Sequence, residues 1–446
     1  MKDQAIATRL CLGILFLSMI IGLCGCSSGS GRNSSEDISN ANGSYDASEG
    51  DHHLKIVADY NTMRWGCGTS KGYYDSIMWP LDMYEEKSDY IHISNLMYTD
   101  YASHTRVYLC NTPGCAHNNE NCTSYIKYSA GLLLFCDANE KYLFCISSGA
   151  IQGEAESEEE IGSLIRCNLD GSNRVELLKL KPTESFSYVG KVFSDEEYIY
   201  LIVLEYDTQN DEVYNVLRRI NIETGEFEDI NKCPTTVFFS GVFQDKYLIK
   251  LEYEDANLNV YQYSPYNQTE QKIALCDVSD ESNLRGFDSK EVATANWSLN
   301  EGLLSVSSKD LETGIEKELD GMPCNPAGGI SWDLYEKDLG YLKMSFIEAE
   351  TEEHIEYLID FNEKTYSKNE LYYINTPYKM PFQVISAFGD KYMVIIGESE
   401  KKTITQVDQN GVAHTYEYEG RPLYATMLKE DYWNQNPVYE IIDDQI

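Results

Sequence analysis

The sequence predicts an all-β chain folded as a β-propeller, with seven blades of four antiparallel strands. Three observations predict it. Helical periodicity is nearly absent after Asp51, where short apolar or alternating runs are separated by Gly, Asn and Asp turns. A single unit, a polar turn followed by an aromatic or aliphatic strand, recurs in seven copies. The copies lie about 40 to 56 residues apart, the repeat length of a four-stranded blade.

The copies follow in order. Ser88-Asp89-Tyr90-Ile91-His92-Ile93 comes first, then Asn139-Glu140-Lys141-Tyr142-Leu143-Phe144. Asp195-Glu196-Glu197-Tyr198-Ile199-Tyr200 and Asp245-Lys246-Tyr247-Leu248-Ile249 are the third and fourth. Asn300-Glu301-Gly302-Leu303-Leu304 and Asp338-Leu339-Gly340-Tyr341-Leu342 are weaker, and Gly389-Asp390-Lys391-Tyr392-Met393-Val394 is the last. Within the third copy, Asn221-Ile222-Glu223-Thr224-Gly225 marks a further hairpin turn, as do Asn168-Leu169-Asp170-Gly171-Ser172 and Asp408-Gln409-Asn410-Gly411 elsewhere. The run Tyr198-Ile199-Tyr200-Leu201-Ile202-Val203-Leu204 is apolar on both faces. A strand packed between two neighbouring sheets needs that pattern, whereas a one-sided sheet would alternate. Pro422 to Leu428 is expected to supply the innermost strand of the first blade and so close the ring. The propeller is therefore placed at 88–446, with 52–87 packed across one face.

The N-terminus predicts export. Lys2 and Arg9 precede an uncharged apolar run from Leu10 to Leu23. That run has the length of a signal-peptide core and is too short for a stable membrane span. Leu23-Cys24-Gly25-Cys26 fits a bacterial lipobox, so 1–25 reads as a lipoprotein signal peptide and Cys26 as the lipidated residue. Residues 26–51, rich in Ser, Gly, Asn and acid, bury too little apolar surface to fold and read as a tether. The expected location is the outer face of the cytoplasmic membrane of a Gram-positive-type bacterium, with lipid as the only membrane contact.

The formal net charge is −38, from 73 acidic against 35 basic residues. That balance argues against nucleic acid as a partner. It is compatible with divalent ions, cationic partners or neutral glycans, and it serves solubility. The 35 tyrosines fall mostly in strand-like runs, where aromatic side chains pack on pleated surfaces.

Of 13 cysteines, ten lie beyond Cys26. Three share one loop with a histidine: Cys110-Asn-Thr-Pro-Gly-Cys115-Ala-His117-Asn-Asn-Glu-Asn-Cys122. Pro113-Gly114 forces a tight turn that can aim Cys110 and Cys115 at one point. Three thiolates and one imidazole suit a closed structural zinc site. Disulfides, natural for an exported chain, are the alternative. In either case the loop is expected to be stapled, with no open coordination position for catalysis. Cys136 and Cys145 flank a turn and could face each other across a hairpin.

This loop, following a strand that ends in Leu109, resembles that of a group of uncharacterised lipoproteins of clostridial-type Gram-positive bacteria. Their pattern is a lipobox, a Ser/Gly/Asn tether and a propeller body. The ending Lys429-Glu430-Asp431-Tyr432-Trp433-Asn434 is similar to that group as well. The resemblance implies a surface-displayed propeller and implies no activity.

Catalytic signatures are weak. Gly68-Thr69-Ser70-Lys71-Gly72 has the letters of a nucleophile elbow, but no apolar strand precedes it and no helix follows. No metalloprotease, P-loop or dinucleotide motif occurs. The remaining histidines, His52, His53, His92, His104, His354 and His414, read as surface or packed residues. No catalytic residue is assigned. The function expected is a non-catalytic binding or scaffold propeller for protein, peptide or glycan. The alternative is a carbohydrate-active enzyme with carboxylates at the channel mouth.

Overall fold

The computed structural model describes residues 52–445 apart from the segments 60–62, 80–90, 151–156, 188–189, 255–256, 278–281, 289–290, 299–301, 328–329, 337–339, 376–377, 399–401, 408–410 and 419–420. The expected signal peptide, Cys26 and the tether lie outside the described residues, as do Asp89, Asn300 and Asp338 of the repeats.

The chain is a β-propeller of antiparallel blades, built sheet after sheet along the sequence. Among the described residues five sheets have four strands and two have six. The first sheet runs Cys67–Gly68, Gly72–Met78, Ile91–Asp100, Thr105–Tyr108. The second runs Leu132–Cys136, Tyr142–Ser147, Ser163–Asn168, Val175–Lys179. The third is Lys191–Ser194, Tyr198–Asp207, Glu212–Asn221, Phe227–Pro234, and the fourth Val237–Phe243, Tyr247–Glu254, Asn257–Ser264, Thr269–Asp277. The fifth is Ser282–Asp288, Glu291–Ser298, Leu303–Asp310, Glu316–Pro323, and the sixth Ser331–Glu336, Tyr341–Ile347, His354–Asp360, Thr365–Lys368. The last sheet is Gln383–Phe388, Lys391–Glu398, Pro422–Leu428, Glu440–Ile441. The hairpins Tyr372–Asn375/Tyr378–Pro381 and Lys402–Val407/Ala413–Tyr418 stand apart from these sheets.

The doubly apolar strands now have a cause. Along Tyr198–Asp207, Ile199, Leu201 and Val203 pack towards Phe144, Ile146 and Leu164 of the second sheet. The alternate residues Tyr200 and Ile202 pack towards Phe239 and Leu248 of the fourth. Successive side chains point to opposite faces, so a strand between two sheets must be apolar at every position. The same packing continues from Phe243 and Leu258 to Leu311, from Val306 to Met344, and from Leu358 to Tyr392. Ile395 and Tyr424 of the last sheet then meet Tyr73 and Tyr101 of the first, and Leu96 and Ile126 of the first meet Leu143 and Cys167 of the second. The circuit of inter-sheet cores is closed.

The repeated polar turns join first to second strands, and their acids explain the pattern. Asp137 Oδ1 accepts from the backbone N–H of Lys141 and Tyr142 at 2.9 and 2.6 Å. Asp195 Oδ1 does the same for Glu197 and Tyr198 at 2.8 and 2.6 Å. A short carboxylate that satisfies the turn's own amides is what favours Asp there. A second repeated turn, before the fourth strand, is set by Asn221, Asp310 and Asp360, each accepting two backbone N–H groups. It closes on a residue of positive φ, Gly225, Gly314 or Lys364.

Several expectations need correction. Pro422–Leu428 pairs with Lys391–Glu398 as the third strand of the last sheet, not with the first. Closure comes from further along: Glu440–Ile441 completes the last sheet, and Asp443–Asp444 crosses to lie parallel beside Thr105–Tyr108 of the first. The short helix Lys429–Trp433 makes the connecting bend, with Trp433 stacked on Tyr341 at 4.8 Å. The segment 52–87 does not only pack on a face. Gly72–Met78 is an integral strand of the first sheet, and Lys55–Asp59 adds to the inner edge of the third beside Lys191–Ser194. The repeat beginning at Ser88 and the one at Asn300 therefore precede third strands, not second ones. In the first sheet the equivalent turn is Thr69-Ser70-Lys71, inside the elbow-like motif. There Thr69 Oγ1 accepts from the Gly72 N–H at 3.1 Å.

The two glycines of that motif are packing residues. A Cβ on Gly72 would sit 2.4 Å from the Thr99 carbonyl oxygen, which belongs to the adjacent strand and cannot step aside. Gly72→Ala is expected to destabilise the chain by about 1–3 kcal/mol through overpacking, read as a lower urea midpoint at unchanged slope.

Candidate metal site

Ile91–Asp100 is long enough to pair with two partners end to end. Thr105–Tyr108 pairs with its second half and Tyr125–Ser129 with its first. Between them the chain leaves the sheet and returns at one residue. Leu109 N–H donates to the Leu96 carbonyl at 2.9 Å, and Leu96 N–H donates to the Ser124 carbonyl at 2.7 Å. The cysteine–histidine loop is thus an insertion in the outer strand of the first sheet, pinned at its neck.

Local bonds shape the excursion. Gly114 takes φ +70° and His117 takes φ +55°. Cys115 N–H donates to Thr112 O at 3.2 Å, and Cys122 N–H donates to Asn119 O at 3.0 Å. Trp79 Nε1 donates to Asn95 Oδ1 at 2.7 Å, and Asn95 Nδ2 passes the connection to the His117 carbonyl at 2.9 Å. Trp79, Tyr125 and Cys122 form a buried floor, against which Cys110 and Cys115 pack. From the second sheet, Arg174 donates to the carbonyls of Thr123 and Tyr125.

Cys110, Cys115, His117 and Cys122 converge as the sequence anticipated. Their donor atoms all lie within 4.8 Å of one another. His117 Nδ1 is 3.3 Å from Cys122 Sγ, and the His117 N–H donates to Cys115 Sγ at 3.4 Å. A tetrahedral zinc with Zn–S near 2.3 Å holds its sulfurs about 3.8 Å apart, so the four donors match a metal of that size. Partial burial would raise the Cys110 thiol, but hydrogen bonds from Thr112 and the neighbouring thiols outweigh it and bring it down to about 7. Burial pushes Cys122 up to about 12. Burial also lowers His117, favouring the neutral imidazole that metals bind. The Tyr108 ring stacks on His117 at 4.2 Å and holds its plane.

An open cleft of about 300 Å³ adjoins the loop. Tyr74, Tyr98 and Tyr108 line it with Leu109, Cys110 and Asp170. Asp170 is its single carboxylate, and hydrogen bonds from Ser172 lower its pKa.

A second donor group was not legible in the sequence. His52 Nδ1 lies 3.9 Å from Asp195 Oδ2, with Glu196 beside it. The Asp195 carboxylate is already saturated by the hydroxyls of Tyr200 and Tyr266 at 2.8 and 2.9 Å and by two backbone amides. The group anchors the N-terminal segment, with His52 stacked on Tyr266 at 4.7 Å. Cys136 and Cys145 do not face each other: Cys136 is opposite Leu143 and Cys145 opposite Leu134, a diagonal arrangement. Cys136 instead meets Cys67 of the first sheet. Ser70, in the elbow-like motif, is exposed and donates to Glu140 Oε2 at 2.6 Å, on a turn between strands.

No family model matches the chain. No curated protein matches it either. Among solved structures it is similar to an oligogalacturonate lyase from Vibrio parahaemolyticus, at 13% identity over 86% of this chain and 96% of that one, with a TM-score of 0.42. It is also similar to the β-propeller domain of the Trilobed protease from Pyrococcus furiosus, at 10% identity over 85% and 98% of the two chains, with a TM-score of 0.44. An acylaminoacyl peptidase from Pyrococcus horikoshii matches at 10% identity over 85% of this chain and 53% of that one, with a TM-score of 0.45. At these values the likeness carries nothing over to this chain.

Proposed function

We propose that this chain is a membrane-anchored extracytoplasmic lipoprotein, lipidated at Cys26, whose propeller is a non-catalytic binding scaffold. Its ligand is a protein, peptide or glycan segment. In this reading the closed circuit of sheets counts as seven blades, two of them widened by added strands. Zinc held by Cys110, Cys115, His117 and Cys122 orders the loop that forms one wall of the tyrosine-lined cleft. The observation that carries the reading is this adjacency. Cys110 is both a donor of the cluster and a lining residue of the cleft. Three tyrosines around one carboxylate suit a neutral or weakly polar ligand, because aromatic faces supply contact area with little loss of side-chain freedom. A full set of four protein donors leaves the metal structural.

The test is metal content with a thiol count on chain purified without added metal. About one zinc per chain is expected, with the three loop thiols protected from alkylation until chelator is added. His117→Ala should lose the zinc and free those thiols, leaving the thiols of the other sheets unchanged. No zinc together with linked loop cysteines would overturn the metal half of the reading. For the anchor, labelled fatty acid should enter the wild-type chain in a lipoprotein-processing host. Cys26→Ser should take up none and move to the soluble fraction.

A further inference from the structure

We infer that Cys67 and Cys136 form a disulfide that ties the first sheet to the second. Their sulfurs are 3.7 Å apart and both side chains are buried in the core shared by the two sheets. Cys67 lies on the innermost strand of the first sheet and Cys136 on that of the second. The first of these strands has the weakest hold on its own sheet. Cys67–Gly68 is two residues long and pairs only as Cys67 with Tyr74 and Gly68 with Tyr73. Every other innermost strand of the sheets is longer, so this is where a covalent tie adds most.

The chemistry is thiol–disulfide exchange. One thiolate attacks a disulfide oxidant, small or protein-borne, and forms a mixed disulfide. The second thiolate displaces it, so two protons leave the cysteines and the oxidant departs as two thiols. In the folded chain, burial and the neighbouring Cys136 hold the Cys67 thiol protonated. Exchange therefore proceeds while the seam between the sheets is still open, during folding. Cys145 and Cys167 lie in the same core and are the competing thiols. The bond would close a loop between residues 69 apart in sequence. It thereby restricts the unfolded chain.

The inference stands apart from the metal reading, since it uses none of the loop cysteines. The test refolds the full chain with oxidised and reduced glutathione, then alkylates it in denaturant without reductant and maps the peptides. The expected result is one linked peptide pair joining Cys67 to Cys136, about 2 Da lighter than the separate thiols. Cys67→Ser and Cys136→Ser should each abolish that pair, while Cys145→Ser keeps it. Reduction should lower the thermal midpoint of the wild type by about 5 °C more than that of Cys67→Ser. Alkylation of both residues in the wild type, or a link from Cys136 to Cys145 or Cys167, would overturn the inference. The wild-type map alone decides this should a variant fail to fold.

Discussion

Arg106→Ala is expected to cost about 3–5 kcal/mol of stability, the scale for removing one partner of a buried ion pair. Arg106 and Asp75 are 3% and 2% exposed and meet at 2.7 Å. The same guanidinium reaches Asp444 at 3.3 Å, and Arg421 approaches the other oxygen of Asp444 at 3.3 Å. Tyr424 of the last sheet donates its hydroxyl to Asp75 Oδ2 at 3.1 Å. One side chain therefore holds together the first sheet, the last sheet and the closing strand. Its loss leaves the buried Asp75 carboxyl with only the Tyr424 hydroxyl as a polar partner. The measurement is the urea midpoint of wild type and variant. Asp444→Ala is the control: it removes only the more exposed of the two carboxylates and should cost clearly less. Equal losses from the two variants would show that the tail contact, and not the buried pair, dominates.

The second large effect belongs to the third sheet. Arg218 and Glu184 are both buried and meet at 3.0 Å, while Asp229 takes the Arg218 Nε at 2.6 Å. Burial alone would raise Glu184, but hydrogen bonds from Arg218 and Lys181 outweigh it and hold its carboxyl down at about 2. The unfolded value is about 4.5. A carboxyl depressed on folding stabilises the native state fully above its unfolded value, and that contribution disappears as pH falls through the folded one. Wild-type stability should therefore decline from about pH 4.5 towards pH 2, by about 3 kcal/mol for this group. Glu184→Gln should lose that part of the acid limb, with the stability curves of the two proteins converging near pH 2. Arg218→Ala should be worse than Glu184→Gln at pH 7, by roughly 1–3 kcal/mol, because it takes the shared cation from both Glu184 and Asp229, whereas in Glu184→Gln the guanidinium keeps Asp229 and can still donate to the amide oxygen. Parallel curves down to pH 2 would sink the assignment.

Much of this architecture was legible because it is local. The polar turn followed by Tyr and aliphatic residues repeats where a first strand meets a second in most of the sheets, and Tyr142, Tyr198, Tyr247 and Tyr341 all open second strands. The cysteine–histidine loop was legible for the same reason: its four donors fall within 13 residues, and the strands at its neck were readable on either side. What the sequence hid is non-local or too short to carry a pattern. A strand of two residues, Cys67–Gly68, has no periodicity, so the first sheet was begun one hairpin too late. Pro422–Leu428 looks like any buried strand, and nothing in its residues says which sheet takes it. The true closing strand, Asp443–Asp444, is acidic and reads as a solvated end. Its acids are explained by Arg106 and Arg421, partners that only the folded ring brings near. The Cys67–Cys136 contact is of the same kind, joining residues 69 apart.

The closing strand also sets an order of folding. Arg106 and Asp444 are 338 positions apart, so the first sheet in the sequence is the last to be finished. Sheets two to six can take shape in turn as their hairpins are delivered, each on the one before. The first must wait with Arg106 and Asp75 lacking their final neighbour and with the edge of Thr105–Tyr108 open to any other strand. A chain without Asp443–Asp444 leaves the Thr105–Tyr108 edge without that partner.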